Sequence, residues 1–190
     1  MFYVYSYIAD SPDLGIVYNV RSGFNLECYT NSDWAESYVM DVRKSTTGFT
    51  WNICGGTVSW KSVLQKSVIT SSTMAEVMAA NHAAEEGLWI RKLLRELKPI
   101  KDLTEEAGLD RPITMWEDNQ AALNMIEKPG NQQRTKGWDV KLFRLRELIE
   151  KGIFSLLYKS TYNITANIFT KSLPSIFFRY YIESLGLRSH

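Results

Sequence analysis

Two carboxylates stand at positions from which they can meet at one edge of a sheet. Glu76 lies in the first turn of a long helical pattern, and Asp118 follows a short apolar run and precedes a second helical pattern. Carboxylates gathered at such an edge bind magnesium, which prefers oxygen ligands. Each acid also has a structural interpretation, because Thr73 and Glu76 match a capping box and Asp118 is a favoured N-cap residue. The two residues alone leave both interpretations open.

The elements that would position these acids follow from hydrophobic periodicity and turn signals. Gly55-Gly56 is a hairpin signal between two β-rich runs, and a long pattern of apolar residues at helical spacing ends before Pro99. In chain order, we predict strands over 26–29, 48–53 and 57–60, a helix over 73–97, a strand over 112–116, a helix over 119–127, a helix carrying Trp138 to Ile149, a strand over 153–158 and a helix over 176–185.

That order of elements predicts an α/β fold. Three strands in a meander pair antiparallel, and strands reached through helical crossovers run parallel to their neighbours. We therefore expect a mixed five-stranded sheet flanked by helices, with three antiparallel strands followed by two parallel ones.

Composition excludes several kinds of site and partner. The chain has 190 residues, enough for one domain, and its two cysteines and two histidines argue against a disulfide scaffold and a zinc site. Its 22 basic and 21 acidic residues leave a net charge of +1, which does not by itself indicate a nucleic-acid partner. The apolar N-terminal run lacks a basic leader and is too short to span a bilayer. We expect no membrane partner and no small-molecule cofactor.

Charge is unevenly distributed along the chain. Residues 131–159 hold seven basic and three acidic side chains, whereas residues 102–110 hold four acids and no base. The basic stretch is consistent with a phosphate-binding surface and equally with an ordinary solvated helix face.

Longer motifs resemble the ribonuclease H domain of copia-type retrotransposon Pol polyproteins. The segment SWKSVLQKSVITSSTMAEVMAANHAAEEGLWIRKLLREL (59–97) is similar to that family's strand, Ser-Ser-Thr turn and glutamate-bearing helix. The other similar segments, in matching order and spacing, are DSPDLGIVY (10–18), YTNSDWAES (29–37), RKSTTGFTWNICGGTVSWKS (43–62), ITMWEDNQAALNMI (113–126), RTKGWDVKLFRLRELI (134–149) and TANIFTKSLP (165–174). The resemblance covers nearly the whole chain.

The resemblance implies a ribonuclease H-like fold and two-metal hydrolysis of the RNA strand in RNA–DNA hybrids. Four carboxylates would hold two Mg²⁺ ions. The family's glutamate and middle aspartate fall on Glu76 and Asp118, but its first and last aspartates fall on Asn31 and Asn167. These changes lower the formal charge of the four-residue set from −4 to −2, so we expect weakened Mg²⁺ binding and impaired catalysis, with Mn²⁺ as a possible substitute.

Rival hypotheses remain at this point. Asp33 lies two residues after Asn31 on the same strand face, roughly 6–7 Å further along, so an active nuclease with Asp33 as substitute ligand is one alternative. A non-catalytic module that binds nucleic acid or a protein is another, and a translated fragment of a decaying element is a third. The sequence does not decide between an active and an inactive enzyme.

The resemblance also implies partners and boundaries. The candidates for binding the RNA–DNA hybrid are Asn119, Gln120, Arg134 and Lys136. Residues 1–25 would be the end of a connector from a reverse transcriptase domain of the same polyprotein, 26–172 the ribonuclease H-like domain, and 173–190 a C-terminal helical tail. We expect an intracellular location, in cytoplasmic virus-like particles or the nucleus, and no secretion.

Overall fold

Five strands form one mixed sheet in the computed structural model, which describes residues 9, 11–34, 44–66, 68–69, 71–97, 108–128 and 139–189. Strands β2 (Glu27–Asp33), β3 (Thr46–Ile53) and β4 (Gly56–Leu64) pair antiparallel. Strand β5 (Ile113–Glu117) runs parallel to β2, and β6 (Phe154–Tyr158) runs parallel to β5. The order β4-β3-β2-β5-β6 confirms the predicted sheet.

The turn between β3 and β4 lies one residue earlier than the predicted Gly55-Gly56. Cys54 and Gly55 form the turn, with φ of 52° and 73°, and Ile53 pairs with Gly56. Two consecutive residues with positive φ are typical of a type I′ hairpin. Gly56 instead begins β4, where a Cβ would lie only 2.7 Å from the Tyr18 ring.

Helix α1 (Ser72–Glu96) covers the central strands with an alanine-rich face. Small side chains let the helix approach the sheet closely, and the indole Nε1 of Trp51 on β3 donates to the carbonyl of Ala83 at 3.1 Å. Four alanines of this face have no exposed surface: Ala79, Ala80, Ala83 and Ala84. The helix ends one residue before the predicted boundary, with Leu97 as C-cap.

Helices α2 (Gln120–Glu127) and α3 (Asp139–Glu150) complete the layer on the α1 face of the sheet. The main core lies between this layer and the sheet, where Met115, Leu145 and Phe154 are almost completely buried. Cys28 on β2 faces this core, so its neighbour Tyr29 faces the opposite side of the sheet. There a smaller cluster joins Tyr29 to Ile164 and Ala166.

The two ends of the described chain meet beside the β3–β4 hairpin. Strand β1 (Leu14–Ile16) pairs antiparallel with β7 (Leu187–Ser189), which follows helix α4 (Ser175–Ser184). The backbone N–H of Thr57 donates to the carbonyl of Leu185, which joins this small sheet to β4. Within the described residues, no helix has the length and apolar composition needed to cross a membrane.

Candidate metal centre

Glu76 points from α1 toward the end of β2. The N-cap of α1 is Ser71, whose side chain makes no capping hydrogen bond, so Glu76 lies two positions too far along for the capping box with Thr73. The capping interpretation of Glu76 is therefore wrong. The Glu76 carboxylate accepts from the backbone N–H of Ser32 on β2. The side chain is 6% exposed, and its Oε2 has no hydrogen-bond partner among the described residues.

Glu117, the last residue of β5, brings a second carboxylate to the same edge of the sheet. Its Oε2 accepts from Thr30 Oγ1 at 2.7 Å, and its Oε1 accepts from the backbone N–H groups of Asp118 and Asn119 at 3.2 Å each. Glu117 has no exposed surface. Because all its hydrogen-bond donors come from β2 and the turn after β5, this carboxylate is held in one orientation.

Asp118 occupies the turn between β5 and α2 and is half-buried. The N-cap of α2 is Asn119, whose Oδ1 accepts from the backbone N–H of Ala122 at 3.0 Å. The interpretation of Asp118 as the N-cap is therefore wrong, because the next residue takes that role. The Asp118 carboxylate instead lies close to the carboxylates of Glu76 and Glu117.

The three acids Glu76, Glu117 and Asp118 form one group. Each offers a carboxylate oxygen, and these oxygens all lie within 4.8 Å of one another. Burial, followed by the charges of Glu117 and Asp118, raises the pKa of Glu76 well above its usual value, although the Ser32 N–H and Lys171 oppose the rise. Burial also raises the pKa of Glu117 to about 8, against the hydrogen bond from Thr30. Repelling carboxylates with an unpartnered oxygen fit a hard divalent cation.

The sequence interpretation missed Glu117, although a signal was present. Ile113, Met115 and Glu117 alternate along β5 and are all buried, so they share the face of the strand that packs on α1. A glutamate at the third inward position of an apolar strand needs a partner or a cation, because burial of an isolated carboxylate is unfavourable. The alternation therefore pointed to Glu117 as a third acid.

Asn31 and Asn167 both donate hydrogen bonds, and Asn31 stands on β2 between Thr30 and Ser32, which donate to Glu117 and Glu76. Asn31 Nδ2 on β2 donates to Thr170 Oγ1 at 2.7 Å, and Thr170 Oγ1 donates to the carbonyl of Asn167 at 3.1 Å. Asn31 pairs across the sheet with Gly48, where a Cβ would lie 2.6 Å from Thr170. The glycine lets the 3₁₀ helix Thr165–Phe169 approach the strands.

Asn167 belongs to that 3₁₀ helix and is 1% exposed. Its Nδ2 donates to the carbonyls of Thr161 and Ile164 and contacts the Tyr181 hydroxyl at 3.2 Å. Burial raises the pKa of Tyr181, whereas the hydrogen bond with Asn167 lowers it. Of the four residues predicted from the resemblance, Glu76 and Asp118 belong to the acidic group, and Thr170 links Asn31 to Asn167 through hydrogen bonds.

Asp33 is the last residue of β2 and pairs with Thr46 across the sheet. It is not one of the three acids whose carboxylate oxygens lie within 4.8 Å of one another. The third acid of the group is Glu117, from the neighbouring strand. A ligand role for Asp33 stays a prediction.

The residues predicted to grip a nucleic acid are only partly described. Asn119 uses its side-chain oxygen to cap α2, whereas Gln120, in the first turn of that helix, is exposed. Arg134 and Lys136 lie outside the described residues, so their role stays a prediction.

Much of the described part of the basic stretch serves the fold. Arg146 donates to the carbonyls at the end of α2, with 2.8 Å between its Nε and the Ile126 oxygen. Lys151 is paired with Glu147 on α3, and Lys159 Nζ lies 4.3 Å from the Trp116 ring centroid. These contacts favour the structural interpretation for those three side chains.

The comparisons with known proteins agree with the resemblance. The chain is 32% identical over 166 residues to a retrovirus-related Pol polyprotein from transposon TNT 1-94 of Nicotiana tabacum, covering 87% of this chain and 12% of that protein. It is 28% identical over 184 residues to the Pol polyprotein from transposon RE2 of Arabidopsis thaliana, covering 97% of this chain and 12% of that protein. The chain thus spans about 12% of the length of these relatives. No family model matches it.

Among solved structures, the chain is similar to RNase H1 of Halobacterium salinarum NRC-1. The two are 14% identical, the match covers 77% of this chain and 94% of that one, and the TM-score is 0.47. The order β4-β3-β2-β5-β6, with three antiparallel strands followed by two parallel ones, defines the fold by itself. The fold is that of a ribonuclease H-like domain. Over most of the length of this chain, the homologues of the chain are Pol polyproteins of copia-type retrotransposons.

Proposed function

We propose that this domain binds RNA–DNA hybrids and holds one Mg²⁺ ion among Glu76, Glu117 and Asp118, but is impaired as a two-metal hydrolase. One observation carries the proposal. Three carboxylates converge within 4.8 Å, while the two further positions implied by the resemblance are amides that donate to protein groups. When bound, Mg²⁺ supplies Lewis-acid activation of a phosphate oxygen or a water.

The chain's own contacts prepare the group for one cation. The Ser32 N–H orients Glu76, while Thr30 and two backbone N–H groups orient Glu117. Both carboxylates are buried, so their mutual repulsion is poorly screened by solvent. A divalent cation relieves that repulsion more fully than protonation of one carboxyl group does.

Among the described residues, a second cation lacks comparable ligands. The amide oxygens of Asn31 and Asn167 carry no formal charge. A second cation is also repelled by the first, and these amides supply no negative charge to offset that repulsion. Hydrolysis by two metals needs both ions in place, because the attacking and leaving oxygens lie on opposite sides of the phosphorus. We therefore expect little or no hydrolysis in Mg²⁺ and at most a trace in Mn²⁺, which accepts less regular ligand sets.

Cleavage of a labelled RNA–DNA hybrid tests this proposal. We expect the unmodified chain to bind the hybrid without cutting it in Mg²⁺, and Asn31→Asp/Asn167→Asp to cut it. Glu76→Gln in the restored background should abolish cutting, whereas Glu96→Gln, an exposed position on the same helix, should not. Circular dichroism must accompany the assay, because Asn167→Asp places a carboxylate oxygen against two carbonyls.

Each other outcome assigns a different function. Mg²⁺-dependent cutting by the unmodified chain that Asp33→Asn abolishes would establish an active nuclease with Asp33 as substitute ligand. Hybrid binding with no cutting by a folded restored variant would favour a non-catalytic nucleic-acid-binding module. Failure to bind the hybrid at all would contradict the proposal.

The homology also suggests a cellular context. We propose that the domain works beside the reverse transcriptase part of the same polyprotein, in cytoplasmic virus-like particles or in the nucleus. Support comes from the Pol polyprotein relatives, which the chain matches over most of its own length. Co-purification with the reverse transcriptase part of the polyprotein would test the contact.

A further inference from the structure

A cavity of about 400 Å³ lies on a different side of α1 from the three acids. Strand β4 contributes Lys61, α1 contributes Met78 and His82, and α3 contributes Lys141, while Lys66 follows β4. His82 is six residues beyond Glu76 on α1, which corresponds to roughly 9 Å along the axis and roughly 120° around it. The cavity is therefore separate from the candidate metal centre.

The described lining of the cavity carries positive charge and no negative charge. Three ammonium groups come from Lys61, Lys66 and Lys141, and no aspartate or glutamate is among the described lining residues. Elsewhere on the described surface, Lys92 and Lys151 are each paired with a glutamate four residues away. Lys61, Lys66 and Lys141 have no ion pair among the described residues, and lysines that line one cavity produce a local positive potential that attracts anions.

His82 gives this cavity a hydrogen-bonding group next to the lysines. The imidazole is half-buried, and its Nδ1 is buried without a hydrogen-bond partner among the described residues. Burial lowers the pKa of His82, and the charges of Lys141, Lys61 and Lys66 lower it further, while Glu85 opposes them. The imidazole therefore responds to the same lysine charges that an anion would neutralise.

Gln65, one of the residues that line the cavity, is fixed by hydrogen bonds. Gln65 is 3% exposed, and its Nε2 donates to Thr47 Oγ1 at 2.8 Å and to the carbonyl of Ala75 at 3.1 Å. These bonds join the end of β4 to β3 and to the first turn of α1. The backbone that carries Lys61 and Lys66 is therefore held in place.

We propose that this cavity is a phosphate-binding site, in which Lys61, Lys66 and Lys141 supply the charge and His82 supplies a hydrogen bond. A phosphate group has a compact charge and several acceptor oxygens, which suits ammonium groups that converge as point charges. The ligand is a phosphate carried either by a small molecule, such as a nucleotide, or by a nucleic-acid backbone. Binding at this site does not depend on a metal at the three acids.

Nuclear magnetic resonance of the histidine side chains tests the site. The chain has only two histidines, His82 and the terminal His190, so the imidazole signals can be assigned by one substitution. We expect inorganic phosphate, added to the full chain in EDTA, to shift the His82 signals saturably and raise the pKa of His82. Sodium chloride of equal ionic strength should not reproduce the effect, and His190 should not follow the same curve.

Matched variants locate the binding to the cavity. Lys61→Ala/Lys66→Ala should weaken phosphate binding at least about tenfold, because two charge-assisted contacts are lost. Lys92→Ala/Lys151→Ala removes the same charge from two paired lysines outside the cavity and should leave binding unchanged. The substituted lysines of both variants are exposed, so both should fold, as thermal melting can verify. Equal weakening in both variants, or an unchanged His82 titration in phosphate, would overturn the proposal.

Two further arms identify the source of the phosphate. A 5′-mononucleotide and an uncleaved RNA–DNA hybrid are each titrated in EDTA with the same His82 readout. If the hybrid saturates the His82 shift at a concentration far below that at which inorganic phosphate does, the ligand is a backbone phosphate. If only the mononucleotide shifts the His82 signals, the ligand is a small molecule. Absence of a His82 response to inorganic phosphate, nucleotide and hybrid alike would overturn the site, even if the hybrid binds elsewhere.

Discussion

Asn31 and Asn167 have the shape of aspartate but donate hydrogen bonds, which an ionised carboxylate cannot do. The amide of Asn167 donates to two backbone carbonyls, so this residue stabilises the end of the fold as well as occupying a family position. Asn31 donates to Thr170, whose hydroxyl proton can turn from the carbonyl of Asn167 to a carboxylate at position 31, so one hydrogen bond replaces another. We therefore expect Asn31→Asp to be tolerated better than Asn167→Asp.

Glu117 gives the protein a characteristic dependence on pH. Its pKa is about 8 in the folded state, against an ordinary value of 4.5, so the folded chain holds a proton that the unfolded chain has released between these values. The contribution of Glu117 to stability is therefore fully present below about pH 4.5 and is lost as pH rises toward 8. Glu117→Gln keeps the shape and removes this loss.

We expect the difference in melting temperature between Glu117→Gln and the unmodified chain, measured in EDTA, to grow in favour of the variant from pH 5 to pH 8. The control is Glu96→Gln, which changes an exposed carboxylate on α1 and should give a constant difference. Parallel pH profiles for Glu117→Gln and the unmodified chain would show that Glu117 is not buried in a protonated form.

At the scale of elements, the contact between α1 and β3 depends on Gly87. A Cβ at this position would overlap the Trp51 ring and lie 3.1 Å from Phe154, and Trp51 has no exposed surface into which it can move. Helix propensity favours alanine over glycine by about 1 kcal/mol, but overpacking typically costs about 1–3 kcal/mol and begins here with direct overlap. Packing should therefore outweigh propensity.

Gly87→Ala should lower the free energy of unfolding by about 1–3 kcal/mol in a urea titration, as expected for an overpacked core. Lys92→Ala, at an exposed position of the same helix, should change it by no more than about 0.5 kcal/mol. A stabilised Gly87→Ala variant would mean that α1 packs farther from β3 than described.

The elements were largely predictable from sequence because their signals are local. Helical periodicity placed a helix at 73–97 where the structure has Ser72–Glu96. Turn residues separated two strands, of which the structure extends the first at its start (Thr46–Ile53) and the second at both ends (Gly56–Leu64). Glu76 and Asp118 were found because they stand at element boundaries. Glu117 was missed although its alternation with Ile113 and Met115 is visible in the sequence, because only packing shows that this face of β5 meets α1. The capping interpretations failed because the helices begin at Ser72 and Gln120, and their caps are Ser71 and Asn119.

In the molecule as a whole, the net charge of +1 is the sum over regions of opposite charge. Three acids gather where β2 and β5 end, and three lysines gather around a cavity on another side of α1. The segments outside residues 26–172 also contact the fold, because β1 pairs with β7 and Leu185 accepts from Thr57. The domain boundaries at 26 and 172 stay a prediction, but these flanking strands contribute to the same structure.

Calorimetric titration of the full chain with Mg²⁺ tests the proposed centre most directly. We predict that one ion binds per chain, and that Glu76→Gln and Glu117→Gln each weaken binding at least about tenfold, since a buried charged ligand is lost. Glu96→Gln should bind Mg²⁺ like the unmodified chain. Binding of two ions per chain, or binding unaffected by Glu117→Gln, would contradict a one-metal centre built on Glu76, Glu117 and Asp118.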